Sequence, residues 1–265
     1  MASDVVATDT GQVLVQRDGP IARLTLNRPA QYNALSLELM AELRSALEAV
    51  SCESSTRVIV LQGAGRGFCA GHDMSEMIGR EDEFYALLFD ECTRLMQAVH
   101  QVSQPVIARV HGVATAAGCQ LVAACDLAIA EAGARFGTPG VRIGLFCSTP
   151  MVPVTRSVGR KRAMQLLLTG DLIDAPTARD WGLVNDVVPT EELDGAVDAL
   201  AGRIAEASRG TIAIGKEAFY AQIECDEDGA YDLTKGVMAA NAANPDAQEG
   251  MSAFLAKRPP VWPAG

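Results

Sequence analysis

The sequence predicts an α/β protein with a largely parallel sheet, followed by a helical C-terminal part. Three observations predict it. Strand, loop and helix alternate through the first two thirds of the chain, and that alternation builds parallel sheets. From Thr149 onward the pattern turns helical, and only Val184–Val188 looks like a strand there. No Pro/Ser-rich linker separates the halves, so the boundary near residue 195 reads as a change of layer: residues 12–195 as core, 196–265 as a helical region.

The elements follow in order. The first residues read as a loose tail. Gln12–Gln16 and Ile21–Asn27 flank Arg17-Asp18-Gly19-Pro20 and read as a β-hairpin. Ser36 can cap a helix whose Leu39, Leu43, Leu47 and Val50 recur at helical spacing. Val58–Leu61 is a short buried strand, and a Gly-rich loop runs from Gly63 to Gly71. Phe84, Leu87, Leu88, Leu95, Val99 and Val102 mark a long amphipathic helix. Pro105–Val110 is another buried strand, then come small residues from Gly112 to Gly118, a short helix at Gln120–Cys125 and a strand at Leu127–Ala130. A further helix starts at Thr149. The remaining helices are expected at Arg160–Leu168, Ala175–Trp181, Glu191–Ala207, Thr211–Glu224, Asp228–Ala243 and Asp246–Lys257.

Composition excludes several function classes. The chain has 265 residues, is 49% apolar and carries a net charge of −11, which rules out a disordered scaffold. An acidic balance of 33 Asp+Glu against 22 Lys+Arg argues against nucleic acid as partner. Seven scattered cysteines, an odd number without C-x-x-C pairs, read as reduced thiols. Met1 to Gln12 has no signal-peptide pattern, and the charge-free run Val110–Cys125 is too short to span a bilayer. A soluble, cytoplasmic protein is expected.

Candidate chemistry narrows by elimination. Gly65-Arg66-Gly67-Phe68-Cys69-Ala70 matches G-x-G-x-x-A, but a long helix occupies the place where a dinucleotide fold needs its second strand and acid. His72, His100 and His111 form no metal-binding spacing, so no metal is expected, and no G-x-S-x-G turn offers a serine nucleophile. Two turns of small residues remain, Phe68-Cys69-Ala70-Gly71-His72-Asp73 and Gly112 to Gln120. Each follows a buried strand and precedes a helix start, where a backbone N–H can point into open space. Either both are close-packed turns without a ligand, or two such donors converge as an oxyanion hole.

Five motifs, in order over about residues 12–262, resemble the crotonase superfamily, the enoyl-CoA hydratase/isomerase family. They are Leu26-Asn27-Arg28-Pro29 with Asn33-Ala34-Leu35, then Phe68 to Asp73, then Gly118 to Leu121 with Cys125-Asp126, then Leu168-Thr169-Gly170, then Gly250 to Leu255 with Lys257-Arg258. The run Gly144 to Pro150 and the ending Lys257–Trp262 are similar to one subgroup, that of domain-containing protein 3. The resemblance implies a crotonase fold of stacked βαβ turns with a helical C-terminal part that builds trimers, often paired into hexamers. It implies a lyase or isomerase of fatty-acid or acyl-CoA metabolism. The acyl-CoA thioester is then the substrate, and no separate cofactor is implied. Carried over residue by residue, the oxyanion donors are the backbone N–H groups of His72 and Ala117, with Gly118 beside them. Arg28 approaches the CoA phosphates or adenine. Ala70, Asp73 and Met74 line the pantetheine path. Phe254 and Lys257 reach the adenine end.

The chain departs from that family at two positions. Hydratases of the family carry glutamates where this chain has Gln120 and Gly140. Hydration needs a base for water and an acid for the α carbon, and neither Gln nor Gly titrates. Ligand binding and enolate stabilisation are therefore expected without efficient ordinary hydration, and restoring both glutamates is expected to raise it. A malonyl-type decarboxylase is an alternative, since the Ala-Gly-His-Asp tetrapeptide occurs in crotonase-type malonyl-CoA decarboxylases. A non-catalytic acyl-CoA binding or regulatory protein is another. Three groups are candidates for replacement chemistry: Cys147 with Ser148 before a helix start, where a thiolate is favoured, the His72 imidazole, and Glu91 on the long helix. The alternatives are a small buried apolar Cys147, a His72 that faces solvent or caps, and a Glu91 on a solvated face. Ile212, Ile214, Phe219, Tyr220, Met238, Met251 and Phe254 exceed what one face of a thin helical layer needs, which favours self-association.

Overall fold

The computed structural model describes residues 5–263. Strands β2 (Val13–Asp18) and β3 (Ile21–Leu26) form the expected hairpin. Asp18 pairs with Ile21, which leaves Gly19-Pro20 as a two-residue turn. The expected loose tail is partly ordered. Val5–Ala7 forms β1, antiparallel to β2 at the sheet edge. It is exposed, so backbone hydrogen bonds hold it rather than burial, and burial pattern could not announce it.

Ser36 caps α1 (Leu37–Ser51), accepting the Leu39 N–H at 3.1 Å. Strands β4 (Val58–Gly63) and β5 (Val106–Val110) extend the sheet in parallel from β3. Between them run a one-turn helix α2 (Met74–Met77), which the hydrophobic pattern was too short to reveal, and the long α3 (Asp82–Gln101). Alternation along β4 assigns the two faces of the sheet. Ile59 and Leu61 join the main core with α1 and α3; Val58 and Val60 join a second core on the opposite face.

The segment read as a turn of small residues contains a strand, β6 (Val113–Thr115). Helix α4 (Ala117–Ala124) then starts three residues earlier than expected. After β7 (Leu127–Glu131), β8 (Arg135–Gly137) pairs parallel with β6, and β9 (Ile173–Asp174) pairs antiparallel with β8. This small sheet escaped sequence reading because strands of two or three residues show no alternation. Helices α5 (Met151–Val158), α6 (Arg160–Thr169) and α7 (Ala175–Trp181) lead to β10 (Asp186–Val188), parallel to β7. The main sheet runs β1-β2-β3-β4-β5-β7-β10.

Helix α8 (Leu193–Ala205) buries Leu193, Val197 and Ala201 on the second face of the sheet. A boundary between residues 195 and 196 would cut this helix, so the core extends to its end. Beyond it, α9 (Arg209–Gln222) and α10 (Glu227–Ala242) bury no residue in the single chain. Together with α11 (Pro245–Leu255) they expose Phe219, Tyr231, Met238, Met251, Phe254 and Leu255.

Candidate active site

The loop after β4 is pinned from within. Asn33, fully buried, donates from Nδ2 to the carbonyls of Ala64, Gly67 and Phe68 at 2.9, 2.8 and 3.1 Å. Its Oδ1 accepts the Arg28 N–H at 3.0 Å. Gly71 then takes φ +102°, a conformation suited to glycine, and turns the chain at His72. Arg28 braces the end of this turn. Its Nη2 meets Asp73 Oδ2 at 2.8 Å and its Nη1 donates to Ala34 O at 2.5 Å. Asp73 also caps α2 through Ser75.

The second turn lies against the first. Cys69 N–H donates to Val113 O and Thr115 N–H to Cys69 O, both at 3.0 Å. Ala116 sits at φ 49°, ψ −117°, a strained setting for a residue with a Cβ. Its N–H is held by Gly137 O at 2.8 Å. Gly118 is required for close approach, since a Cβ there would overlap the Cys69 carbonyl oxygen. Its role is packing the start of α4 against the first turn.

These two turns and residues 139–150 enclose a cavity of about 520 Å³. Ala70, His72, Met74, Ala117, Gly140 and Cys147 line it. Among the described residues, neither the His72 N–H nor the Ala117 N–H donates a backbone hydrogen bond. Ala117 opens α4, so its N–H has no acceptor within the helix.

The other candidates lie elsewhere or behave differently. Arg28 and Asp73 are paired with each other and are not in the cavity wall. Phe254 is 82% exposed near the end of α11 and does not line the cavity, and Lys257 follows that helix at φ 52°. Glu91 is buried, not on a solvated face, because Arg44 Nε holds its Oε1 at 2.7 Å; it does not line the cavity. Of the two readings of Cys147, the structure favours the buried apolar group over a thiolate. Helix α5 begins at Met151, and Cys147 meets it with its carbonyl oxygen, at 3.0 Å from Met151 N. Burial pushes its thiol pKa up, against a smaller opposing pull from the Gly140 N–H. Ser148 is exposed and turned to Phe146 O.

Gly140 is one of the two positions where the chain departs from the family pattern. It has no left-handed backbone; its constraint is space. A Cβ there would overlap the Leu145 carbonyl oxygen and stand 2.8 Å from Cys147 Sγ. A side chain at 140 therefore has no room beside the cavity. Gln120 is 3% exposed and lies one turn along α4 from Ala117, in the wall of a neighbouring cavity. Phe89, Pro139, Leu145 and Phe146 are among the other residues that line the first cavity, and they were missed. Their only sequence signal was apolar character, which core residues share.

His72 is 8% exposed, lines the cavity and stands edge-on to Phe89 with ring centroids 5.4 Å apart. Its buried Nε2 has no hydrogen-bond partner among the described residues. Burial pulls its pKa from 6.5 to about 4, so the imidazole is neutral at pH 7. Between those values the unfolded chain binds a proton that the folded chain does not. The stabilisation is therefore whole above about pH 6.5 and is lost as pH falls through 4. From pH 7 to pH 5 the chain should lose about 2 kcal/mol of stability through this group. Urea unfolding at the two pH values measures it, and His72→Gln should flatten that slope. An unchanged slope would show that another group carries it.

The sequence profile of the enoyl-CoA hydratase/isomerase family matches residues 16–264. An enoyl-CoA hydratase structure from Mycobacterium smegmatis is 47% identical with a TM-score of 0.93, covering 95% of this chain and 98% of that one. The human enoyl Coenzyme A hydratase domain-containing protein 3 structure is 40% identical with a TM-score of 0.92, covering 95% and 100%. The mitochondrial enoyl-CoA hydratase domain-containing protein 3 of Xenopus laevis is 42% identical over 96% of this chain and 86% of its own. The 2,3-dehydroadipyl-CoA hydratase of Escherichia coli K12 is 36% identical over 94% and 97%.

Proposed function

Because this chain belongs to the enoyl-CoA hydratase/isomerase family and carries its crotonase fold, we propose that it binds an acyl-CoA thioester and holds the developing enolate oxygen between the His72 and Ala117 N–H groups. One observation supports this above the rest: two backbone N–H groups without backbone acceptors among the described residues flank one largely apolar cavity, one of them set by the strained Ala116. Donors fixed before the reaction stabilise charge that develops there without reorganising. The thioester is itself the substrate, and this reading calls for no further cofactor.

Ordinary hydration is not the favoured chemistry. Gln120 does not titrate and Gly140 has no side chain, and each lost acid–base function typically removes about 10²–10⁴ in rate. Decarboxylation is the second reading, favoured by the buried neutral His72 with its unpartnered Nε2. A carboxylate on the α carbon leaves as CO₂, and its electron pair becomes the enolate without any base.

The apolar surface of α9 to α11 supports assembly into a trimer or hexamer. Seven unpaired cysteines support a reducing compartment, the cytoplasm in this reading; the vertebrate relatives carry mitochondrial names. Among the described residues, no helix is long and apolar enough to cross a membrane.

Calorimetry with butyryl- and octanoyl-CoA tests the reading, with light scattering on the same samples. Saturable binding by a particle of three or six chains is expected, with crotonyl-CoA hydrated slowly or not detectably. Binding without turnover of crotonyl- or malonyl-CoA would favour a binding protein. Absence of binding to every acyl-CoA would sink the reading.

A further inference from the structure

Ala116 has a backbone conformation that its own side chain opposes. Tyr32, also at positive φ, has ψ 38° and lies in the left-handed well. Ala116 combines φ 49° with ψ −117°, outside that well, where a Cβ is crowded and glycine is not. Such a setting persists only where the surroundings over-determine it. Hydrogen bonds on both sides do so here. Ala116 N–H donates to Gly137 O at 2.8 Å, and Gln120 N–H donates to Ala116 O at 3.0 Å. The preceding residue is held as well, Thr115 N–H by Cys69 O and Thr115 Oγ1 by Ala70 O, both at 3.0 Å.

The peptides that carry the His72 and Ala117 N–H groups are clamped in the same way. The carbonyl before His72, Gly71 O, accepts the Leu35 N–H at 2.7 Å. The carbonyl before Ala117 is the Ala116 O already held by Gln120. A trans peptide points its N–H opposite to its C=O, so each clamped carbonyl aims the N–H behind it. The two peptides meet where Gly71 faces Ala116. A Cβ on Gly71 would come within 2.9 Å of the Ala116 methyl, 3.1 Å of Thr115 O and 3.4 Å of Ala117 N. The methyl therefore fills the gap between the two turns, and Ala116 also lines the cavity.

We propose that Ala116 is a positioning residue: its methyl, wedged against Gly71, fixes the separation and aim of the His72 and Ala117 N–H groups. The proposal rests on the reading of those groups as the place of the thioester oxygen. A glycine at 116 would relax the strain and empty the gap. The peptide before Ala117 could then rock about the Gly137 anchor, and its hydrogen bond to the thioester oxygen would lengthen. Donors stabilise developing charge best when fixed beforehand, so lost aim weakens the pair without removing it. An ordinary packing methyl behaves otherwise, because deleting it leaves a void and lowers stability. At Ala116 stability and function should move in opposite directions.

Butyryl-CoA isotope-labelled at its thioester carbonyl gives an infrared band that reports how strongly that oxygen is hydrogen-bonded. Calorimetry with the same ligand gives the affinity. Bound to the natural protein, the band should lie below its frequency in the free ligand. Ala116→Gly should move it about halfway back, weaken binding about three- to tenfold and raise the melting temperature by roughly 2–4 °C. Ala116→Ser keeps the Cβ, so it should restore most of the natural band without the gain in melting temperature. A band unmoved by Ala116→Gly, or one that moves together with a lower melting temperature, overturns the proposal while acyl-CoA binding stands. So does a serine variant whose band moves as far as the glycine variant's. No binding, or a bound band at the free frequency in the natural protein, overturns the proposal together with the reading beneath it.

Discussion

Gly140→Glu should cost about 3 kcal/mol, the upper end for an overpacked site, and lower the melting temperature by roughly 6–12 °C. Combining it with Gln120→Glu should not create a hydratase. The obstacle is backbone. Leu145 N–H donates to Gly140 O at 3.0 Å, which closes the turn and sets the Leu145 carbonyl against the glycine. A flexible side chain could move aside for a new Cβ; a carbonyl inside a closed turn cannot without moving the turn. Leu145, Phe146 and Cys147 would shift with it, and they form one wall of the cavity. The glutamate would thus arrive at a site its own Cβ has deformed. Gly140→Ala separates the two effects, because it adds the overlap without a carboxylate. Calorimetric melting and crotonyl-CoA absorbance on the natural protein and the four variants, Gln120→Glu alone among them, measure both. Turnover about 100-fold above that of Gln120→Glu alone would show that the turn yields and that only acid–base groups were wanting.

The course of the core was legible because its signals are periodic. Ser36 with Leu39, Leu43, Leu47 and Val50 announced α1, and the apolar run from Val58 announced β4. The boundaries of α7 matched, Ala175–Trp181 in both. What escaped was short or set by distant contacts. Strands β6, β8 and β9 have two or three residues each, and their pairing depends on partners far along the chain. The site divides the same way. The two small-residue turns were visible in the sequence, since a backbone donor needs only a bend, and the family resemblance singled out His72 and Ala117 within them. Nothing in the sequence says that Arg28 meets Asp73, or that Leu145 folds back over Gly140. Those are consequences of tertiary packing. For Cys147 the structure favours the buried apolar alternative over the thiolate. Proximity to a helix start suggested a lowered pKa, but burial outweighs it, and burial is fixed by the finished fold.

Lys216→Met should destabilise the protein by about 3–5 kcal/mol, the usual result of removing one partner from a buried ion pair. Lys216 reaches from α9 into the core, where its side chain is 7% exposed. Its Nζ meets Asp126 Oδ2 at 2.7 Å and donates to the carbonyls of Val99 and Gln104 at 2.8 and 2.9 Å. Asp126 also accepts the Tyr220 hydroxyl at 2.7 Å and the Val106 N–H at 2.6 Å. Burial pulls the lysine pKa down, and Asp126 opposes that pull. One charge pair therefore ties α9 to the ends of α3 and β5. This matters because no apolar residue of α9 is wholly buried in the single chain, so the pair supplies much of what fixes its position. Methionine fills similar volume but leaves the Asp126 carboxylate buried without its cation and two carbonyls without a donor. Tyr220→Phe removes one hydrogen bond and should cost about 1 kcal/mol. Lys216→Met with Asp126→Asn should cost less than the two single changes added, since both lose the same pair. Urea unfolding of the four variants gives the comparison. A cost below about 1 kcal/mol for Lys216→Met would place the pair among surface-like contacts and leave the docking of α9 to packing alone.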